Sequence, residues 1–180
     1  RETDGNLPIF LDGISLGGAT VLMALELNLP DNVAGVIDDC GYTSEKDILT
    51  RGCRDLVHIP AFPLVNLIGV VNKIVTGLWL DEVDGSKCVK KARVPVFFAH
   101  GKRDNLVPVE QGIKNYEACP GFKMLIISEN AGHGTAFLED HGEYVEKLTD
   151  FFEKCRVIAH VHGSSAAHAL AGAHVVENLL

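Results

Sequence analysis

The strongest constraint on this chain lies near its start, where a short apolar run, Leu7 to Asp12, passes through Gly13-Ile14-Ser15-Leu16-Gly17-Gly18 into a helical pattern that continues to Leu25. A short apolar run after a Gly5-Asn6 turn signal reads as a buried strand, and the residues beyond the glycines read as a helix. Strand, tight turn and helix must therefore meet within a few residues. Such a turn crowds the backbone, and the glycines flanking Ser15 permit that crowding. Leu29-Pro30-Asp31-Asn32 closes the helix, and Val33-Ala34-Gly35-Val36-Ile37 supplies a second strand ending in Asp38-Asp39-Cys40-Gly41. Strand, helix and strand make one right-handed βαβ unit, with the two strands parallel.

The same alternation continues downstream. From Ser44 to about Lys91 the pattern is helical or irregular, opening on Ser44-Glu45-Lys46-Asp47 as an N-cap with early acidic residues, and this excursion is expected outside the sheet. Val94 to His100 is a third apolar strand, followed by a polar loop through Asp104 to Pro108 and a helix from about Val109 to Ala118. Phe122 to Ile127 is a fourth strand, and a glycine-rich loop, Glu129 to Gly134, precedes a last helix from Glu139 to about Lys154. The alternation predicts an α/β fold around a parallel sheet. Residues 1–155 are expected to form one core with a helical insertion at about 44–91. Residues 156–180 form a tail of different composition to which no element is assigned. The tail histidines, His160, His162, His168 and His174, lack the acidic or cysteine partners of a defined metal site, so no metal is expected.

Composition narrows the possible partners. With 47% hydrophobic residues the chain can bury one sizeable core. Its 16 basic and 24 acidic residues leave a net charge of -8, which offers no field to collect a nucleic acid. Cys40, Cys53, Cys88, Cys119 and Cys155 are odd in number and contain no C-x-x-C pair, so they are expected to be apolar fillers in a reduced compartment, which favours the cytoplasm. The most apolar stretch, Ile59 to Leu80, is broken by Pro60, Pro63, Asn66, Asn72 and Lys73, so no membrane span is expected. The opening Arg1-Glu2-Thr3-Asp4 has neither an initiator methionine nor a signal-peptide pattern, and a fragment or processed product is the expectation.

The turn at Ser15 also carries chemistry. A serine hydroxyl is a poor nucleophile until a base removes its proton and a third group orients that base. G-x-S-x-G at a strand-to-helix turn lifts the hydroxyl clear of the sheet, and the segment lacks both G-x-G-x-x-G and the lysine of a phosphate-binding loop. His133, between Gly132 and Gly134 after the fourth strand, is the candidate base, and Asp104, after the third, is the candidate orienting acid. Asp39, at the end of the second strand, is the alternative acid. His100 is read as closing its strand. The Leu16 N–H, directly after Ser15, is a candidate oxyanion donor, while the second donor normally comes from a loop preceding the elbow, a segment this sequence does not contain.

Ile9 to Met23, Asp39-Cys40-Gly41-Tyr42-Thr43-Ser44, Ile59-Pro60-Ala61-Phe62-Pro63, Val94 to Gly101 with Asp104 and Val107-Pro108, and Ala131-Gly132-His133-Gly134 together resemble bacterial α/β-hydrolases of the esterase and lipase-like group. The likeness spans about residues 7 to 154, and the order Ser, Asp, His is that of the superfamily. It implies a three-layer α/β-hydrolase-like fold with a reduced, mostly parallel sheet and a helical insertion. It also implies hydrolysis of a small-molecule carboxylic ester through an acyl-enzyme on Ser15, with no cofactor. Two alternatives stay open: an amidase or peptidase using the same residues, and a truncated, catalytically impaired hydrolase acting as a folded or self-associating module. Leu16, Phe62 and Trp79 are candidates for the acyl pocket and equally for the core. The resemblance implies further strands before Leu7, so the Leu7 to Asp12 strand is expected to be an exposed edge through which copies could pair.

Overall fold

A computed structural model describes residues 7–161 with the exception of Val83. Four parallel strands, β1 (Ile9–Ile14), β2 (Val33–Asp39), β3 (Val96–Gly101) and β4 (Lys123–Ser128), lie side by side in chain order. Helix α1 (Leu16–Ala24) joins β1 to β2, and α5 (Val109–Ala118) joins β3 to β4. Between β2 and β3 the chain makes α2 (Glu45–Arg51), a π-turn (Gly52–Leu56), α3 (Ala61–Thr76), α4 (Gly85–Cys88) and a 3₁₀ turn (Val89–Lys91). After β4 come α6 (Ala136–Glu139) and α7 (His141–Val161), the latter continuing well past Cys155. The predicted N-cap is present: Ser44 Oγ accepts from the Asp47 N–H at 3.3 Å.

Alternation along the strands builds three layers, because successive side chains of a strand point to opposite faces. From β2 and β3, Ile37, Phe97 and Ala99 pack with Ile126 against Tyr144, Phe151 and Cys155 of α7. Val36, Val96 and Phe98 point the other way, onto Leu22 of α1, the adjacent Leu25, and Cys119 just beyond α5. β2 and β3 are buried along their whole length, so they read as continuous apolar runs. Each large side chain such as Phe97 or Phe151, both fully buried, contributes about 1.5–3 kcal/mol of burial. Val89 is fully buried in the second of these clusters, so the end of the 44–91 segment belongs to the core and the excursion proper lies before it. All five cysteines are free and buried, as apolar fillers should be. Among the described residues no helix is long and apolar enough to cross a membrane.

Candidate active site

In a parallel sheet all strand ends of one kind lie on one side, and the carboxyl ends here gather Ser15 after β1, Asp39 as the last residue of β2 with Cys40 beyond it, Asp104 after β3 and His133 after β4. Ser15 occupies a sharp turn with φ 58° and ψ -113°, a conformation that costs an L-residue on the order of 1–3 kcal/mol. Its N–H still donates to the Asp39 carbonyl at 2.8 Å, which continues the β1–β2 ladder and fixes the turn against the neighbouring strand. The crowding behind the turn is specific: a Cβ on Gly13 would lie 2.2 Å from the Gly17 carbonyl carbon and oxygen. Gly17 itself has open space where a side chain would start. The motif's two glycines are therefore not equivalent, and the second close approach involves Gly18, where a Cβ would meet Asp38 Oδ1 at 2.3 Å.

The structure brings Ser15, His133 and Asp104 into one hydrogen-bonded chain. Ser15 Oγ lies 2.7 Å from His133 Nε2, and His133 Nδ1 lies 2.7 Å from Asp104 Oδ2. A carboxylate only accepts, so Nδ1 carries the proton and Nε2 is left to accept the Ser15 hydroxyl. The other carboxylate oxygen of Asp104 accepts the Leu106 and Val107 N–H groups at 2.9 and 2.8 Å. Burial alone would push the Asp104 carboxyl up, but hydrogen bonds from His100, His133 and these two backbone donors outweigh it and hold the group below its ordinary range. Asp104 thus stays ionised beside His133.

Asp39 does not join this chain, for a reason of strand parity. It points to the α7 face, where its carboxylate accepts the Tyr144 hydroxyl at 3.1 Å, and burial raises its pKa. Asp38, one residue earlier, faces α1 and α5; it accepts the Gly41 N–H at 3.0 Å, and burial pushes its carboxyl up to about 7. His100, read from sequence as closing its strand, is fully buried beside Asp104. Its Nε2 lies 2.8 Å from the Val107 carbonyl oxygen and 3.5 Å from Asp104 Oδ2. Burial works against its charged form, but the bonds to Asp104 and Val107 and the nearby Asp38 raise its pKa overall. Sequence reasoning missed the backbone pair at Leu106 and Val107, and the only signal for it was Asp-Asn turn chemistry at 104 and 105.

The remaining candidates divide clearly. Leu16 begins α1, and its N–H, like the first donors of any helix, has no intrahelical acceptor. Phe62 and Trp79 are 73% and 46% exposed, so neither is a core residue, and Trp79 borders a pocket of about 220 Å³ with Val65, Gly69 and Leu80. Cys40 Sγ, an Asp104 oxygen and a His133 nitrogen lie within 4.8 Å of one another, the geometry of a possible metal cluster. The aspartate and histidine are already bonded to each other, and burial pushes the Cys40 thiol up to about 12, which disfavours the thiolate a metal needs. The side chains of the tail histidines fall outside the described residues.

No family model matches the chain. It is 27% identical over 145 residues to the uncharacterized protein YqkD of Bacillus subtilis and 27% identical over 146 residues to the uncharacterized protein YfhR of Escherichia coli K12. These alignments take in 81% and 79% of this chain but 48% and 44% of those proteins, so the chain spans less than half the length of the curated relatives it matches. Among solved structures, a Pyrococcus furiosus esterase superimposes with TM-score 0.59 at 18% identity over 82% of this chain and 54% of that one. The Pyrococcus horikoshii acylaminoacyl peptidase gives TM-score 0.59 at 19% identity over 82% and 24%. An alpha/beta fold family hydrolase of Bacillus anthracis gives 0.57 at 13% identity over 80% and 67%.

The chain has an α/β-hydrolase-like fold.

Within the α/β-hydrolase-like fold the sheet, the turn at Ser15 and the loops after β3 and β4 fall in the order Ser, Asp, His expected from sequence. Fold alone does not fix a reaction, so the chemistry rests on the distances at Ser15.

Proposed function

We propose that the chain is a serine hydrolase that cleaves carboxylic esters through an acyl-enzyme on Ser15. One observation carries this reading: the unbroken chain Asp104–His133–Ser15, with both links at 2.7 Å, set on a strained strand-to-helix turn. Ser15 Oγ attacks the ester carbonyl carbon and its proton passes to His133 Nε2. Asp104 holds the imidazole tautomer and stabilises the imidazolium. The C–O bond to the alcohol then breaks, and His133 returns the proton to the leaving alkoxide oxygen. Water adds to the acyl-enzyme in the second half, with His133 as base, releasing the acid and restoring Ser15. The Leu16 N–H is the proposed first oxyanion donor. The exposed side chain of Leu16 is the proposed apolar contact for the acyl group of a small-molecule ester.

Labelling with a fluorophosphonate tests the site directly. The wild-type chain is expected to label, and Ser15→Ala and His133→Ala are not; equal labelling of all three would overturn the reading. Turnover of a matched ester and anilide separates esterase from amidase action, and faster anilide cleavage would move the assignment to the amide bond. We also propose that copies of this chain associate through β1, because it ends the sheet among the described residues.

A further inference from the structure

His100 is a fully buried polar side chain that the mechanism above does not use. Val107 O can only accept, so the 2.8 Å contact requires that His100 Nε2 carry a proton. The Val107 N–H meanwhile donates to Asp104 Oδ1 at 2.8 Å. Val107 is therefore held through its carbonyl by His100 and holds Asp104 through its amide. The same Nε2–H group lies 3.5 Å from Asp104 Oδ2, the oxygen that receives His133. On the far side, the ring rests on α5 where there is no side chain: a Cβ on Gly112 would come within 2.4 Å of His100 Nδ1. Among the described residues Nδ1 has no hydrogen-bond partner. An unsatisfied buried nitrogen costs about 1–3 kcal/mol, so a residue kept only to fill space would be better apolar.

We infer that His100 is a positioning residue for Asp104, bracing its carboxylate toward His133 both through Val107 and by its own Nε2–H. The role rests on the proposed hydrolase reading but acts one layer behind it, since the ring's polar contacts go to Val107 and Asp104 while Ser15 Oγ is met by His133. The charged and titratable groups facing the ring are Asp104 from the loop after β3 and Asp38 from β2; Asp39 acts on it from the opposite face of the sheet, and α5 presents Gly112. The brace acts on where the Asp104 oxygens lie, and so on the Asp104–His133 bond.

Two variants separate bracing from packing. His100→Met fills the space without a donor, and His100→Gln restores an N–H at about the reach of Nε2. His100→Met is expected to lower kcat on a p-nitrophenyl ester by about ten- to a hundredfold with KM nearly unchanged, a typical size for loss of a group behind the reacting residues. It is also expected to shift or broaden the downfield His133 Nδ1–H proton resonance, and His100→Gln is expected to recover both. Circular dichroism confirms that each variant is folded. A folded His100→Met variant with unchanged kcat and an unchanged His133 resonance would overturn the inference, as would a folded His100→Gln variant no better than His100→Met. If wild-type chain neither labels nor turns over, the hydrolase reading fails, yet the His133 resonance still decides the His100 role because it reports the Asp104–His133 bond without substrate.

Discussion

Gly13 and Gly17 stand symmetrically about Ser15 in the sequence but meet different surroundings, and single substitutions should separate them. Gly13→Ala drives a methyl into the backbone at Gly17 and is expected to cost about 1–3 kcal/mol or more, read as a lowered Tm together with loss of fluorophosphonate labelling. Gly17→Ala meets open space inside α1 and is expected to hold or raise stability by up to about 1 kcal/mol. Asp38 supplies a pH test at the same scale. Its folded pKa is raised to about 7, so its contribution to stability is fully present below the ordinary aspartate value and is lost as pH rises through about 7. Asp38→Asn keeps an oxygen to accept the Gly41 N–H but cannot titrate. Wild-type Tm is therefore expected to fall, relative to Asp38→Asn, between about pH 4 and about pH 7, and parallel Tm curves across that window would contradict the assignment. What sequence could say of these residues was limited by parity. Ser15, His133 and Asp104 were legible from motif and loop position, whereas the exclusion of Asp39 depends on which face of β2 it takes, and a one-residue shift of a strand reverses that face.

At the scale of elements, the sheet was legible because β2 and β3 are continuous apolar runs bounded by turn residues. Their exact ends were not, since Asp38, Asp39 and Gly101 extend the ladder by backbone hydrogen bonds that side-chain character does not signal. Helix α3 shows the same limit more strongly. Its apolar residues run around the helix, and only packing reveals that Val65 and Gly69 face Leu80 and Cys53 while Leu67, Val70, Val71, Ile74 and Val75 stay exposed. The two faces should respond differently to substitution. Val65→Ala, at a site 3% exposed, is expected to lose about 1.5–3 kcal/mol through lost burial and the cavity left behind. Ile74→Glu, at a site 78% exposed, is expected to stay within about 0.5 kcal/mol of wild type. Urea unfolding midpoints compare the pair, and a large loss at Ile74 would mean that this face is covered.

At the scale of the whole molecule, the sheet formed by the described residues has two edges, and β1 is the one predicted from sequence to lie open. The Ser15 N–H turns toward β2, where it meets the Asp39 carbonyl, and backbone N–H groups alternate sides along a strand. The Gly13 and Leu11 N–H groups therefore also face β2, whereas those of Ile14, Asp12 and Phe10 face away from it. An edge strand with free donors is a template for pairing with another copy. Proline at an outward position removes a free donor without taking a bond from the β1–β2 ladder. Sedimentation of this chain is expected to show a dimer or larger species that grows with concentration. Asp12→Pro is expected to shift it to monomer while circular dichroism stays native. Asp12→Asn separates the donor from the charge: it removes the carboxylate but keeps the N–H, so it is expected to associate at least as strongly as wild type. A wild-type chain that stays monomeric at every concentration would remove β1 as an association surface. Association that survives Asp12→Pro would place the contact elsewhere, with the exposed apolar face of α3 the next surface to test.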